Sequence, residues 1–195
     1  MLALVTLIIV IAVAAIGGTL AYFTDNETKT NTFTMGTVAI QLTESNWNEP
    51  DKVYPSMTYA KNPVVTNIGD DSAWIRMDVI LSDAAAFTTA AAQYNITDLS
   101  TMFQELDTTN WTLAATTTDS QADTVTYTYY YLTELAKDAS TTALFTAVKI
   151  PAQFDNADMA TIGADFTITV QAHAMQTSVD YTTVQGAFAV YVPEN

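Results

Sequence analysis

The sequence contains no cysteine. No disulfide can staple the fold, and no thiolate can act as nucleophile or metal ligand. The absence fits a protein that leaves its cell by a route without disulfide machinery. Histidine occurs once, at His173. A zinc hydrolase typically takes three protein ligands and keeps one open position. The chain has neither a His-Glu-x-x-His pair nor a nucleophile elbow around a serine. Basic residues are scarce too: 6 Lys and Arg stand against 21 Asp and Glu, for a formal charge of −15. Phosphate binding needs clustered Lys and Arg, so nucleic acid is excluded as a partner and an anionic membrane surface is disfavoured. The negative charge suits solubility, a salty medium or cation binding.

Charge of either sign is missing altogether from residues 1–23. The run "MLALVTLIIVIAVAAI" has the length of a signal-peptide apolar core. Thr19 and Ala21 supply the small residues at the −3 and −1 positions of a signal peptidase site, which puts the cut before Tyr22. No Lys or Arg precedes the run. Twenty-three uncharged residues can also span a bilayer, so a retained pilin-like assembly helix is the alternative to a cleaved leader. Gly17 and Gly18 weaken that helix, because Gly costs about 1 kcal/mol against Ala. The expected organisation is a leader over 1–21, an extended arm over 22–34 and a single β-sandwich domain over 35–195. Contact with a membrane is expected only through the N-terminal segment, before or without cleavage.

Past the junction the period changes to two. In "TVAIQL", Val38, Ile40 and Leu42 alternate with polar or small residues, the mark of a half-buried strand. "SNWNEPDKVYPSM" is a loop set by Pro50 and Pro55. "TYAKNPVVTNIGDDSAWIRMDVILS" predicts two strands around the turn Asn67–Asp71. On the second strand Ile75, Met77, Val79 and Leu81 form the core face, and Trp74, Arg76, Asp78 and Ile80 the other. Residues 84–106 are Ala-rich, with helical spacing at Leu99, Met102, Phe103 and Leu106, and Asp98 is placed as an N-cap. "DTTNWTLAATTTDSQADTVTYTYYYL" predicts a hairpin with Asp119–Asp123 at its tip. "TTALFTAVKIP" is a short strand. "ADFTITVQAHAM" is a long one, with Phe166, Ile168, Val170 and Ala172 on one face and His173 out of phase with them. Val184, Ala187, Phe188 and Tyr191 predict a C-terminal helix. Seven to nine strands with one or two short helices close most naturally as an all-β, antiparallel, jelly-roll-like sandwich, preceded by the apolar N-terminal helix of the leader.

The stretch "GGTLAYFTDNETKTNTFTMGTVAIQL", followed by "PDKVYPSMTYAKNPVVTN" and "AWIR", resembles the TasA/camelysin family. Its marks are Gly-Gly-Thr-Leu-Ala before Tyr-Phe-Thr-Asp, and Asn31 and Phe33 ahead of Gly36. The resemblance covers residues 17–81 specifically and fades beyond. It implies a jelly-roll domain, export with cleavage by a signal peptidase of the SipW type, and assembly into extracellular biofilm fibres at the cell surface or in the matrix. It also implies that the N-terminal segment of one subunit completes the sheet of the next. The missing basic segment and Ser56, where Gly is expected, depart from the pattern.

The arm can be read without the family. Residues 22–34 hold five Thr and no Pro or Gly, and suit an extended strand added to the edge of a neighbour. The interface expected from this is Tyr22, Phe23, Thr24, Asp25, Thr30, Asn31, Thr32 and Phe33, with Phe23 and Phe33 as anchors. The alternative is a strand packed on its own domain. A head-to-tail contact grows an open homopolymer, with accessory matrix proteins as further partners.

Camelysin-like relatives are classed as metalloproteases, so a secreted or cell-surface protease is the rival expectation. The inventory favours a non-enzyme with no cofactor and no metal: His173 reads as a surface or satisfied strand residue. Asp70, Asp71, Asp78, Asp83, Asp119 and Asp123 are scattered carboxylates. Calcium needs several converging oxygens, and no Asp-x-Asp-x-Asp-Gly loop occurs. Trp47, Trp74, Trp111 and Tyr129–Tyr131 could form a carbohydrate platform, but aromatics on sandwich strands are more often core or cross-strand pairs. Asn26, Asn95 and Asn110 sit in glycosylation sequons.

Overall fold

The computed structural model describes residues 37–189 except 49, 51, 164, 165 and 178–180. The chain centres on β4 (Ala73–Ser82), ten residues long and buried on both faces over most of its length. Ile75, Met77, Val79 and Leu81 are at most 1 % exposed, as the period-two alternation requires. Burying each contributes about 1.5–3 kcal/mol as an upper estimate.

β4 pairs antiparallel on one side with β7 (Thr124–Tyr131), which pairs with β6 (Trp111–Asp119), and on the other with β9 (Ile168–Gln176). This four-stranded sheet runs β6-β7-β4-β9. Its inner rows align Met77 with Tyr129 and Ala172, and Val79 with Tyr127 and Val170. The β6–β7 hairpin turns at 119–124, where the Asp119 carboxylate accepts the backbone N–H groups of Gln121 and Ala122. A bulge between Leu113 and Ala115 shifts its register.

Two smaller antiparallel sheets share the same core. One is β1 (Ile40–Thr43) with β3 (Val64–Asn67). The other runs β2 (Thr58–Ala60), β8 (Ala147–Lys149), β5 (Phe103–Gln104). Val65, Phe103 and Val148 meet the β4 and β7 rows in one apolar cluster. Phe103 stacks on Phe145 at 4.9 Å and meets Tyr127 edge-on at 5.6 Å.

The expected antiparallel, mostly-β fold with few short helices is therefore present. Three local expectations are corrected. The stretch before Asn67 is two strands, because Pro63 lacks an N–H and interrupts the ladder; β2 and β3 then join different sheets. The Ala-rich region splits into α1 (Ala84–Gln93) and a separate 3-10 turn, Leu99–Met102. Asp98 does cap that turn, accepting Ser100 N–H at 2.8 Å. A helix not expected from the sequence, α2 (Asn156–Ile162), starts with a capping box: Asp155 accepts the N–H groups of Ala157 and Asp158, and Asp158 accepts the N–H of Asp155. The C-terminal helix, α3 (Val184–Ala189), forms where expected; Tyr191 lies outside the described residues.

α3 also changes the fate of Trp74. On the sequence pattern Trp74 belongs to the non-core face, and it does point there. Val184, Ala187 and Phe188 cover it in a second apolar cluster, leaving it 5 % exposed. Tyr130 stacks on Phe188 at 5.6 Å at the same site.

Candidate functional site

The feature that sets this sandwich apart is its β9 side. Among the described residues β9 pairs only with β4. Its inner row, Ile168, Val170, Ala172 and Ala174, lies opposite the fully buried Leu81, Val79, Met77 and Ile75. Yet every member of that inner row is only half-buried, as is Phe166 just before it. The row packs against the core and keeps part of its surface accessible. β1 approaches β9, and its own inward residues Ile40 and Leu42, with Val38 before them, are half-buried as well.

At the Phe166 end the seam widens into a cleft of about 360 Å³. Trp47, Val53, Tyr59, Val148, Ile150 and Ile168 contribute its apolar walls. Lys61 lies in the same wall, 5 % exposed. Its ammonium pairs with Glu44 at 2.7 Å and sits 4.8 Å from the centre of the Trp47 ring. A buried cation so matched costs little by remaining there, and it holds the loop after β1 against β2. Tyr59 adds a second tie, its hydroxyl accepting the Tyr54 N–H at 2.8 Å. The cleft thus has a fixed wall and an open mouth beside a strand edge that no described strand pairs with.

His173 is on the opposite face of β9. Its Nε2 stands 3.3 Å from Asp78 Oδ2. Asp78 is buried, and its carboxylate also accepts Arg76 Nε at 3.0 Å, Arg76 Nη2 at 2.6 Å and the Thr128 hydroxyl at 2.7 Å. A zinc ion at His173 would compete with a guanidinium for that one carboxylate. Among the described residues no three His, Asp or Glu side chains converge as metal ligands. The donor set of the described residues does not fit a resident catalytic zinc.

The other acids are spread out, each with its own partners. Asp70 takes Lys137 at 3.0 Å and the Thr37 hydroxyl, and these hold its carboxyl below the usual range. Asp71 accepts Gln176, Asp83 accepts Ser82, and Asp123 accepts the Ala85 N–H. Asp107 is the most perturbed: the Thr142 hydroxyl and Asn110 amide, with two backbone N–H groups, lower it to about 2.

The aromatic residues do not form one platform. Trp111 pairs cross-strand with Tyr131, rings 5.0 Å apart, while Trp74 is under α3 and Trp47 is on the cleft. Asn95 is exposed, whereas the Asn110 amide is held by Asp107. Thr19 and Ala21, and the arm residues Tyr22, Phe23, Thr24, Asp25, Thr30, Asn31, Thr32 and Phe33, lie outside the described residues, as does Asn26.

The open β9 edge was foreshadowed in the sequence by "ADFTITVQAHAM", whose inward row shrinks from Phe and Ile to Ala. Nothing in the pattern said that no described strand would cover it. The cleft was not foreseen, since Trp47 read as a loop residue and Lys61 as part of a strand.

Comparison with known proteins adds one positive finding. No curated protein and no solved structure matches the chain. The family model described as camelysin metallo-endopeptidase matches residues 2–101, which contains the Gly-Gly-Thr-Leu-Ala junction, the first four strands and the open cleft's Trp47 wall. The match spans just over half of the 195 residues, and the chain belongs to this camelysin/TasA family.

Proposed function

We propose that this is an exported structural subunit that polymerises head to tail into extracellular filaments, at the cell surface or in a biofilm matrix. Residues 22–34 of one subunit add as a strand to the β9 edge of the next. The observation that carries this reading is the half-buried inner row of β9. A strand whose second edge no described strand pairs with, and whose apolar row is half-exposed, can take up another chain. The contact is between two different surfaces, so it repeats without closing.

Removal of the leader before Tyr22 is part of the same reading, because it frees the arm. The test compares the mature protein with and without residues 22–34, both verified as folded by circular dichroism and imaged by electron microscopy. Filaments are expected only when the arm is present. Equal polymerisation of the truncated chain would remove the arm from the mechanism.

The description of the family, camelysin metallo-endopeptidase, favours a second reading, a metal-dependent endopeptidase. Its test is zinc content together with proteolysis by the pure protein. Stoichiometric zinc and activity lost in His173→Ala would favour it over the structural role.

A further inference from the structure

We infer that the arm enters the seam with its uncharged face inward and with Tyr22, not the phenylalanines, as its anchor in the cleft beside Phe166. This rests on the donor-strand reading above and specifies its occupant: residues 22–34 of a second copy of this chain.

An extended segment has two faces of alternating residues. One face of the arm carries Phe23, Asp25, Glu27, Lys29, Asn31 and Phe33; the other carries Tyr22, Thr24, Asn26, Thr28, Thr30, Thr32 and Thr34. All three charges of the arm are thus on the phenylalanine face. Turning that face inward would bury Asp25, Glu27 and Lys29 against Val170 and Ala172, a row with no ionic partner among the described residues. Unpaired charges are expelled from such surroundings. Thr is β-prone, and its methyl group can pack on the Ile168–Ala174 row while its hydroxyl bonds to nearby backbone.

The outer faces then match as well. β9 presents Thr169, Gln171 and His173 outward, polar neighbours for Asp25, Glu27 and Lys29. Tyr22 is the only large apolar residue on the inward face, and the seam widens into the cleft at the Phe166 end. Seating Tyr22 there makes the arm run parallel to β9. The lengths agree: the arm is 13 residues, and Phe166–Gln176 is 11. Tyr has a polar tip that can stay at the cleft mouth while its ring meets Trp47, Val53 and Ile168.

The chain lacks cysteine, so single-cysteine variants report on one site each. Thr28→Cys, Thr30→Cys and Lys29→Cys are exported, polymerised and treated with a maleimide dye, as filaments and as dissociated subunits. We expect Thr28→Cys and Thr30→Cys to lose labelling in filaments and Lys29→Cys to keep it. Tyr22→Ser should lower the yield of filaments, and Phe23→Ser should not. The reverse pattern, with position 29 protected and Phe23 required, overturns the face assignment and leaves the donor-strand reading standing. Full labelling at all three sites in filaments overturns both.

Discussion

His173 Nε2 and Asp78 Oδ2 stand 3.3 Å apart across the β4–β9 pair. The only histidine of the chain is thereby tied to a buried carboxylate that Arg76 and Thr128 already grip. This network staples β7, β4 and β9 together on the face away from the core. It is a structural use of residue types that, in a cleft with an open coordination position, would suggest catalysis.

Asp78→Ala should therefore destabilise the fold. It removes the acceptor for two Arg76 hydrogen bonds and one from Thr128, in a site where Asp78 is 4 % exposed. A loss of roughly 3 kcal/mol is expected for breaking a buried pair of this kind. Asp78→Asn keeps the acceptor for Thr128 and should lose less. Urea unfolding of the three proteins checks the order; a wild-type midpoint in Asp78→Ala would show that the network contributes nothing.

A second prediction concerns the turn that holds residues 37–39. Ile68 and Asp70 donate their N–H groups to the carbonyls of Ala39 and Thr37, at 2.9 and 3.0 Å. A Cβ on Gly69 would stand 2.5 Å from the Thr37 carbonyl oxygen and 2.8 Å from the Ala39 nitrogen. Backbone cannot yield as a flexible side chain can, so Gly69→Ala should push residues 37–39 off the turn. The expected cost is about 1–3 kcal/mol, as for overpacking elsewhere. Hydrogen exchange should rise at Ile68 and Asp70 before it rises in β4. Unchanged protection there would refute the clash.

Acid should weaken the domain through Asp107. The Thr142 hydroxyl and Asn110 lower its pKa in the folded chain to about 2, against about 3.9 in an unfolded one. A depressed folded pKa gives stability that is complete above the unfolded value and lost as pH falls through the folded one. Asp107 thus contributes a decline between about pH 4 and pH 2. Asp70 and Asp119, lowered by Lys137 with Thr37 and by backbone N–H groups respectively, act in the same direction. Urea midpoints across that range should fall less steeply in Asp107→Asn than in the wild type.

How far the sequence could be read follows from which forces are local. The inner face of β4 and the hairpin tip at Asp119–Asp123 were legible, because alternation and turn chemistry act within a few residues. The split at Pro63 was missed because "TYAKNPVV" keeps its β-branched and aromatic content across the break; only the pairing shows that its halves belong to different sheets. α2 was missed although its signal, Asp155 three residues before Asp158, was present. A capping box usually ends in Glu or Gln, and the helix behind it is only 7 residues long. Trp74 was assigned to the correct face, but its burial depended on α3, more than a hundred residues away. The cleft was the least legible, since it is made of Trp47, Tyr59 and Phe166 from three separate segments.

Filament growth should accelerate with salt. Each chain carries a formal charge of −15, so subunits repel as they approach. At 0.15 M ionic strength the screening length is about 8 Å, against about 30 Å at 0.01 M. Light scattering at fixed protein concentration should rise faster at the higher salt, and divalent cations should act at lower concentrations than sodium. Slower growth in salt would mean that attraction between charges, not burial of the arm, drives assembly.

The last prediction separates the seam from the fold. Ala172 lies on the inner row of β9 opposite the fully buried Met77, yet it is itself half-buried. In Ala172→Lys, the four-carbon stem can lie along the apolar seam and carry its ammonium out through the open side. The isolated subunit should therefore fold, with a modest loss of about 1 kcal/mol. In a filament the incoming arm closes that exit and would bury the charge, which is far more costly than the strand's gain. Assembly should be blocked while circular dichroism stays that of the wild type. Ala172→Val, with added apolar bulk and no charge, controls for size and should still polymerise. Sedimentation of the three proteins under growth conditions reads the result. If Ala172→Lys pellets as the wild type does, β9 is not the receiving edge, and the half-buried row has another explanation.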